Sequence, residues 1–335
     1  MDIQNRRGLK EAARESLANA SYNPRKLVLI HTLASVLFAL VITAMDYILG
    51  DRIAGTGGLG GLDQRTVLST VQSALRLANL VLLPFWEVGY IFAAMGIARG
   101  KDVKPASLLE GLRRWGTVLR SNLLQIMLYF SMAMACYYLA MTVFLLTPLS
   151  TPLQTLVAPY INDVNTLLTD PVLSAQVLRN SIPMFVIFLA VYALLALPMA
   201  YHFRLVNYSL LDNPGAGAFA ALRRSKFLMH GDRFNLFKLD LSFWWFYGAQ
   251  ALLSVICYGE WLLEILGVAL PFSDTTAFFL FYILSLALQV VLYAFTRNRV
   301  AVTYALAYDT LGGSIAEDPT PVPTPAVPRN QPWQY

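Results

Sequence analysis

A chain of 335 residues that is 57% apolar and only 13% charged lacks the charge a soluble domain of this size needs to stay dispersed. Its mean hydropathy of +0.53 points instead to a polytopic membrane protein. The net charge of +5 requires no nucleic-acid partner, because the placement of the basic residues along the chain accounts for it.

Residues 9–20, LKEAARESLANA, put Leu9, Ala12, Ala13, Leu17 and Ala20 on one stripe, with Lys10, Glu11, Arg14 and Glu15 opposite. That pattern predicts an amphipathic helix on the membrane surface. Asn23-Pro24 ends it, and Arg25-Lys26 anchors the first apolar run. This run follows 26 mostly polar residues, is long enough to span, and has no small-residue cleavage site, so no cleavable signal peptide is expected.

Six runs are long enough to cross a hydrocarbon core, which takes about 20 helical residues. They cover roughly Leu27–Met45, Ala78–Ala98, Leu123–Leu146, Ile182–Tyr201, Leu241–Gly259 and Thr275–Thr296. Backbone groups in lipid must be bonded internally, so the runs are expected as helices and the fold class as all-α. Five of the six carry no charged residue, and the second carries Glu87. Cys136 and Cys257 fall inside apolar runs without metal-ligand spacing and read as small packing residues.

The connections differ in character. Residues 50–66, with GTGGLGGL inside, read as a flexible loop. In residues 148–181, Thr169-Asp170-Pro171 marks the start of a short helix through Arg179. The stretch from Asp212 to Trp245 opens with the turn Asp212-Asn213-Pro214, becomes a basic amphipathic helix, and breaks at Gly231. There Ala218, Ala221, Leu222, Leu228 and Met229 share one arc, with Arg223, Lys226 and His230 opposite. Trp244, Trp245 and Trp261 sit where an interfacial aromatic belt would lie. The organisation is thus an N-terminal helix over 1–26, a six-span domain over 27–311, and a Pro-rich disordered tail over 312–335.

Leu112-Arg113-Arg114 and Leu222-Arg223-Arg224 lie 110 residues apart, each on a basic stretch before a span. With the N-terminal helix, they suggest three units, each an interfacial amphipathic helix followed by a two-span hairpin. Orientation follows from the basic residues. Six precede the first span, six link spans two and three, six link spans four and five, and three follow span six, which makes 21 against four on the other side. Both termini are therefore expected in the cytosol.

From Leu211-Asp212-Asn213-Pro214 through ALRRSKFLMHGDRFNLFKLDLSFWW the chain resembles a bacterial family of multi-spanning membrane proteins catalogued as domain of unknown function 975. LKEAARESL near the start and TYALAYDTL near the end are consistent with it. Where such proteins usually carry a Pro-Tyr pair and an acidic residue, this chain reads Arg297-Asn298-Arg299-Val300-Ala301. The resemblance implies a bacterial plasma-membrane protein and brings no activity with it.

Glu87 is the most suggestive single residue. It lies 12 residues before Arg99, about 18 Å along a helix, at mid-bilayer depth. An acid there either binds a cation or proton, hydrogen-bonds a substrate, or holds its span to another through Gln125, Gln250 or Gln289. His202 and Arg204 end span four, with Asp212 two turns on, and read as interfacial anchors. Glu260 and Glu264 form either an acidic outer mouth or a solvated helix end, and no nearby histidine completes a metal site. No P-loop, HExxH, GxSxG or His/Cys cluster occurs, so no catalytic residue, metal or cofactor is assigned and no enzyme is expected. Two inner-face readings remain. In one, Arg113, Arg114, Arg223, Arg224 and Lys226 engage anionic lipid of the bilayer or a protein partner. In the other, the chain is the permease part of an exporter driven by a separate ATPase.

Overall fold

The computed structural model describes residues 3, 5–55, 62–160, 170–260, 263 and 273–312. Among them no strand occurs. Helix α1 (Arg6–Ala18) is capped by Asn5, whose side chain accepts from Gly8 N at 3.0 Å. Then come α2 (Pro24–Gly55) and α3 (Leu62–Ala98), a short 3₁₀ turn at Pro105–Leu109, α4 (Glu110–Arg113), α5 (Trp115–Leu146) and α6 (Thr151–Val157). Helix α7 (Pro171–His202) starts on Asp170, whose carboxylate accepts from Val172 N and Leu173 N at 2.8 and 3.2 Å. The expected start at Asp170-Pro171 is right, but the helix does not end near Arg179. It continues into the fourth apolar run, because nothing between Arg179 and Ile182 stops it, and Pro183 and Pro198 lie inside it. After it come α8 (Val206–Asp212), α9 (Gly217–Leu228) and α10 (Arg233–Leu241), and the chain closes with α11 (Trp244–Cys257) and α12 (Asp274–Thr310). The break between α9 and α10 falls at Gly231, where φ is +94°, a conformation that side chains rarely adopt.

Among the described residues five helical stretches are long and apolar enough to cross a membrane: Pro24–Leu49, Thr66–Ala98, Trp115–Leu146, Val172–Asp212 and Thr275–Thr310. The fifth apolar run, expected over Leu241–Gly259, is instead the 14-residue α11. Ser242 and Phe243 close α10 in a tight turn, with Phe243 N bonded to Asp240 O at 2.9 Å, so the new helix begins only at Trp244. At 1.5 Å per residue it covers about 21 Å. The Gly-rich stretch is also partly regular: α2 reaches Gly55 and α3 starts at Leu62, so only 56–61 fall outside the described residues. The Pro-rich tail beyond Gly312 lies outside them too.

Helices α3 and α12 occupy the middle. α12 packs on α1, α2, α3 and α11, while α3 packs on α2, α5, α8 and the segment 105–113. The two run parallel in one register. Glu87 faces Arg297 and, about three turns on, Arg99 faces Asp309, the partners being 210 residues apart at both rungs. α3 meets 105–113 closely enough to exclude side chains, since a Cβ on Gly89 would stand 1.9 Å from Leu108 O and one on Gly111 1.9 Å from Phe85 O. Outward faces of the spans stay apolar, with Met127, Phe130 and Leu146 on α5 and Phe185 and Leu194 on α7 exposed.

The two amphipathic helices do not present their apolar arcs to lipid. Leu9 and Ala13 of α1 are buried against α12 and α3. Ala218, Ala221, Leu222 and Leu228 of α9, with Met229, are buried against a core that includes α5 and α8. A helical wheel shows that an apolar arc must be covered but not by what, and here protein covers it. Before α5 the corresponding segment is only a 3₁₀ turn and the four-residue α4.

Candidate functional site: a polar cavity between the central helices

A cavity of about 410 Å³ opens between α3, α5, α8, α11 and α12 and the turn that follows α7. Charge enters it from two networks. In the first, Arg297 Nη2 donates to Glu87 Oε2 at 2.5 Å. The guanidinium lies between the rings of Tyr90 and Tyr293, 4.7 and 4.6 Å from their centroids. Tyr90 hydroxyl donates to Asn298 Oδ1 at 2.7 Å, and Asn298 Nδ2 donates to Pro24 O at 2.6 Å, which ties α2, α3 and α12 together. Glu87 therefore meets an arginine from the last helix, not one of the glutamines considered as its partners. Gln125 instead donates to Ser121 Oγ at 3.3 Å, and Gln250 to Tyr293 hydroxyl at 2.9 Å.

The second network is centred on Asp240, which accepts from Tyr201 hydroxyl and, at 3.4 Å, from Tyr247 hydroxyl. Arg204 stands 3.8 Å from this carboxylate, donates to Tyr247 hydroxyl at 3.3 Å and lies over the ring of Tyr304. Burial raises the Asp240 pKa above its ordinary value, and the Arg204 charge opposes that shift. Tyr247 hydroxyl also meets Tyr304 hydroxyl at 3.1 Å, joining α11 to α12.

The remaining candidates separate into anchors and surface groups. Asp212 belongs to an ion-pair cluster as well as to a turn: Arg99 binds Asp212 and Asp309, each at 2.6 Å, and Tyr308 hydroxyl donates to Asp212 Oδ2 at 3.2 Å. The hydrogen bonds that Arg99 donates to Asp309, and then to Asp212, raise its pKa above the ordinary value. Arg114 pairs with Glu110 at 2.8 Å, donates to Leu211 O at 3.0 Å and stacks on Phe92, so it is built into the fold. Arg224 is half-buried, whereas Arg113, Arg223 and Lys226 are exposed. The carbonyl of His202 accepts from Ser225 Oγ at 2.8 Å, which holds α9 under the end of α7. Lys10 donates to Ser242 O at 2.8 Å over the Phe243 ring, and burial, then the charges of Arg14 and Arg6, lower its pKa. Cys136 is buried, Cys257 is half-buried, and both are free thiols. Trp244 and Trp245 are exposed, Glu260 is half-exposed, and Glu264 and Trp261 lie outside the described residues.

Sequence reasoning missed Arg297, Asp240 and the tyrosines. One signal was present. Tyr293, Arg297, Tyr304 and Tyr308 follow one another at spacings of four, seven and four, a single polar-aromatic stripe on a helix. No group of three or more His, Cys, Asp or Glu side chains suited to a metal occurs among the described residues.

Apolar side chains turned outward over five crossing-length helices, with charged and phenolic groups gathered inward round one cavity, define a multi-spanning integral membrane protein. Residues 1–295 match the family described as a protein of unknown function, DUF975, and the chain belongs to that family. The match stops just short of Arg297. No curated protein and no solved structure matches the chain.

Proposed function

We propose that this is a non-enzymatic protein of the bacterial plasma membrane whose cytosolic face engages anionic lipid. The carrying observation is the outward face of α9. Phe219, Arg223, Lys226 and Phe227 follow at helical spacing and are all exposed, while the opposite arc is buried in protein. Arg113, with a side chain 83% exposed, adds a third cation beside exposed Leu112 and Trp115. Each such cation near an anionic leaflet contributes about 1 kcal/mol of attraction.

In this reading six segments cross the bilayer as three hairpins, with both termini in the cytosol. The close pairing of α2 with α3, α5 with α7 and α11 with α12 supports the hairpins. The parallel register of α3 and α12 supports the sixth crossing. If only five helices crossed, these two would be the second and fifth and would run in opposite directions. The excess of basic residues on one side supports the orientation.

The test is lipid retention by the purified protein in native mass spectrometry. The triple variant Arg113→Ser, Arg223→Ser, Lys226→Ser should lose several-fold of its phosphatidylglycerol adducts while keeping its thermal unfolding midpoint. Equal retention by the variant would rule the reading out. A second reading, the permease part of a transporter driven by a separate ATPase, draws support from the polar cavity between the spans. Stoichiometric recovery of an ATPase from native membranes would favour it.

A further inference from the structure

We infer that the central cavity is a binding site for an oxyanion, a phosphate or carboxylate carried on a partly apolar molecule, with Arg204 as its ligand. The two arginines that line the cavity are not equivalent. Arg297 is neutralised by Glu87 at 2.5 Å and enclosed by two rings. Arg204 has its nearest carboxylate, Asp240, at 3.8 Å, and both oxygens of that group already accept from tyrosines. Among the described residues Arg204 makes one hydrogen bond, at 3.3 Å to Tyr247, so most of its five donor N–H groups remain for a ligand. Its side chain is 45% exposed although the residue lines a cavity between membrane helices.

With Glu87 held close against Arg297, Arg204 is the lining charge with the looser counterion, its ion pair with Asp240 spanning 3.8 Å. A guanidinium among membrane helices whose N–H donors are mostly unused is costly, and its fork of donors fits the paired oxygens of phosphate or carboxylate. Asn207 and Gln250 add polar groups, whereas Ile91, Phe203 and Phe246 line the cavity with apolar surface. The volume, about 410 Å³, suits a headgroup or a small organic anion.

The experiment uses the full-length protein in detergent, with short-chain phosphatidylglycerol and inorganic phosphate as separate probes, read by thermal shift and native mass spectrometry. Two variants report on the cavity: Arg204→Gln removes the charge, and Ala301→Phe fills the space without altering any charge. If the oxyanion belongs to a lipid, the wild type holds one tight phosphatidylglycerol and both variants bind it at least tenfold more weakly. If it belongs to a soluble anion, phosphate stabilises the wild type and neither variant. Either result supports the site, and the surface variant Arg113→Ser, Arg223→Ser, Lys226→Ser should leave it intact. Binding of both probes by Arg204→Gln and Ala301→Phe at wild-type strength overturns the inference. Loss in the surface variant alone also overturns it, while upholding the surface reading.

Discussion

Glu87 and Arg297 show how one pair can dominate the interior of a membrane protein. Removing one partner of a buried pair leaves the other charge uncompensated, which costs more than removing both. Glu87→Gln should therefore destabilise the protein by about 2 kcal/mol, toward the low end for buried pairs because the carboxylate is 41% exposed to the cavity. Glu87→Gln combined with Arg297→Gln should recover much of that loss. A double-mutant cycle on denaturation midpoints checks this, and strict additivity would mean the pair is not coupled. The acid itself was legible in the sequence, since a lone carboxylate in an apolar run stands out. Its partner was not. Arg297 follows directly on the last apolar run and reads as one more topological charge, and nothing local marks a pairing across 210 residues.

At the scale of elements, apolar run length located the helices well and their ends poorly. Helices α2, α3, α5, α7 and α12 each contain the expected run, but all extend past it, because polar and basic residues continue a helix as readily as apolar ones once the backbone is committed. The contact of Gly89 with the segment 105–113 was not legible in the sequence, for it is backbone against backbone. Gly89→Ala or Gly111→Ala should each destabilise by about 1–3 kcal/mol, since the new methyl group meets a carbonyl oxygen that no rotamer change can move. Gly116→Ala, in the first turn of α5 with nothing within 4 Å, is the control and should be neutral or slightly stabilising. Unfolding midpoints in one detergent decide it, and equal behaviour of all three variants would mean that the close approach of α3 and 105–113 carries no weight.

For the whole molecule, the threading is the property that most needs measurement. In a background with Cys257→Ser, a reagent that does not cross membranes should label Gly57→Cys and Asn165→Cys in intact cells. It should leave Ala106→Cys and Phe227→Cys unlabelled until the cells are opened. The reverse pattern would invert the orientation. Charge asymmetry is the ground for expecting this order, because insertion is biased by basic residues near the span ends, a property of the linear chain. The cavity was not readable in the same way, since its lining is drawn from five helices and the turn after α7, and exists only once they assemble.

The two rungs between α3 and α12 also bear on biosynthesis. Glu87 and Arg99 leave the ribosome long before Arg297 and Asp309 are translated, so for most of synthesis the second membrane helix waits with an unmatched acid in lipid. The last helix acts as a keystone, set after every other piece is standing. A nascent chain halted before Arg297 would hold all the earlier spans and still lack the arch that keeps them from quality-control proteolysis.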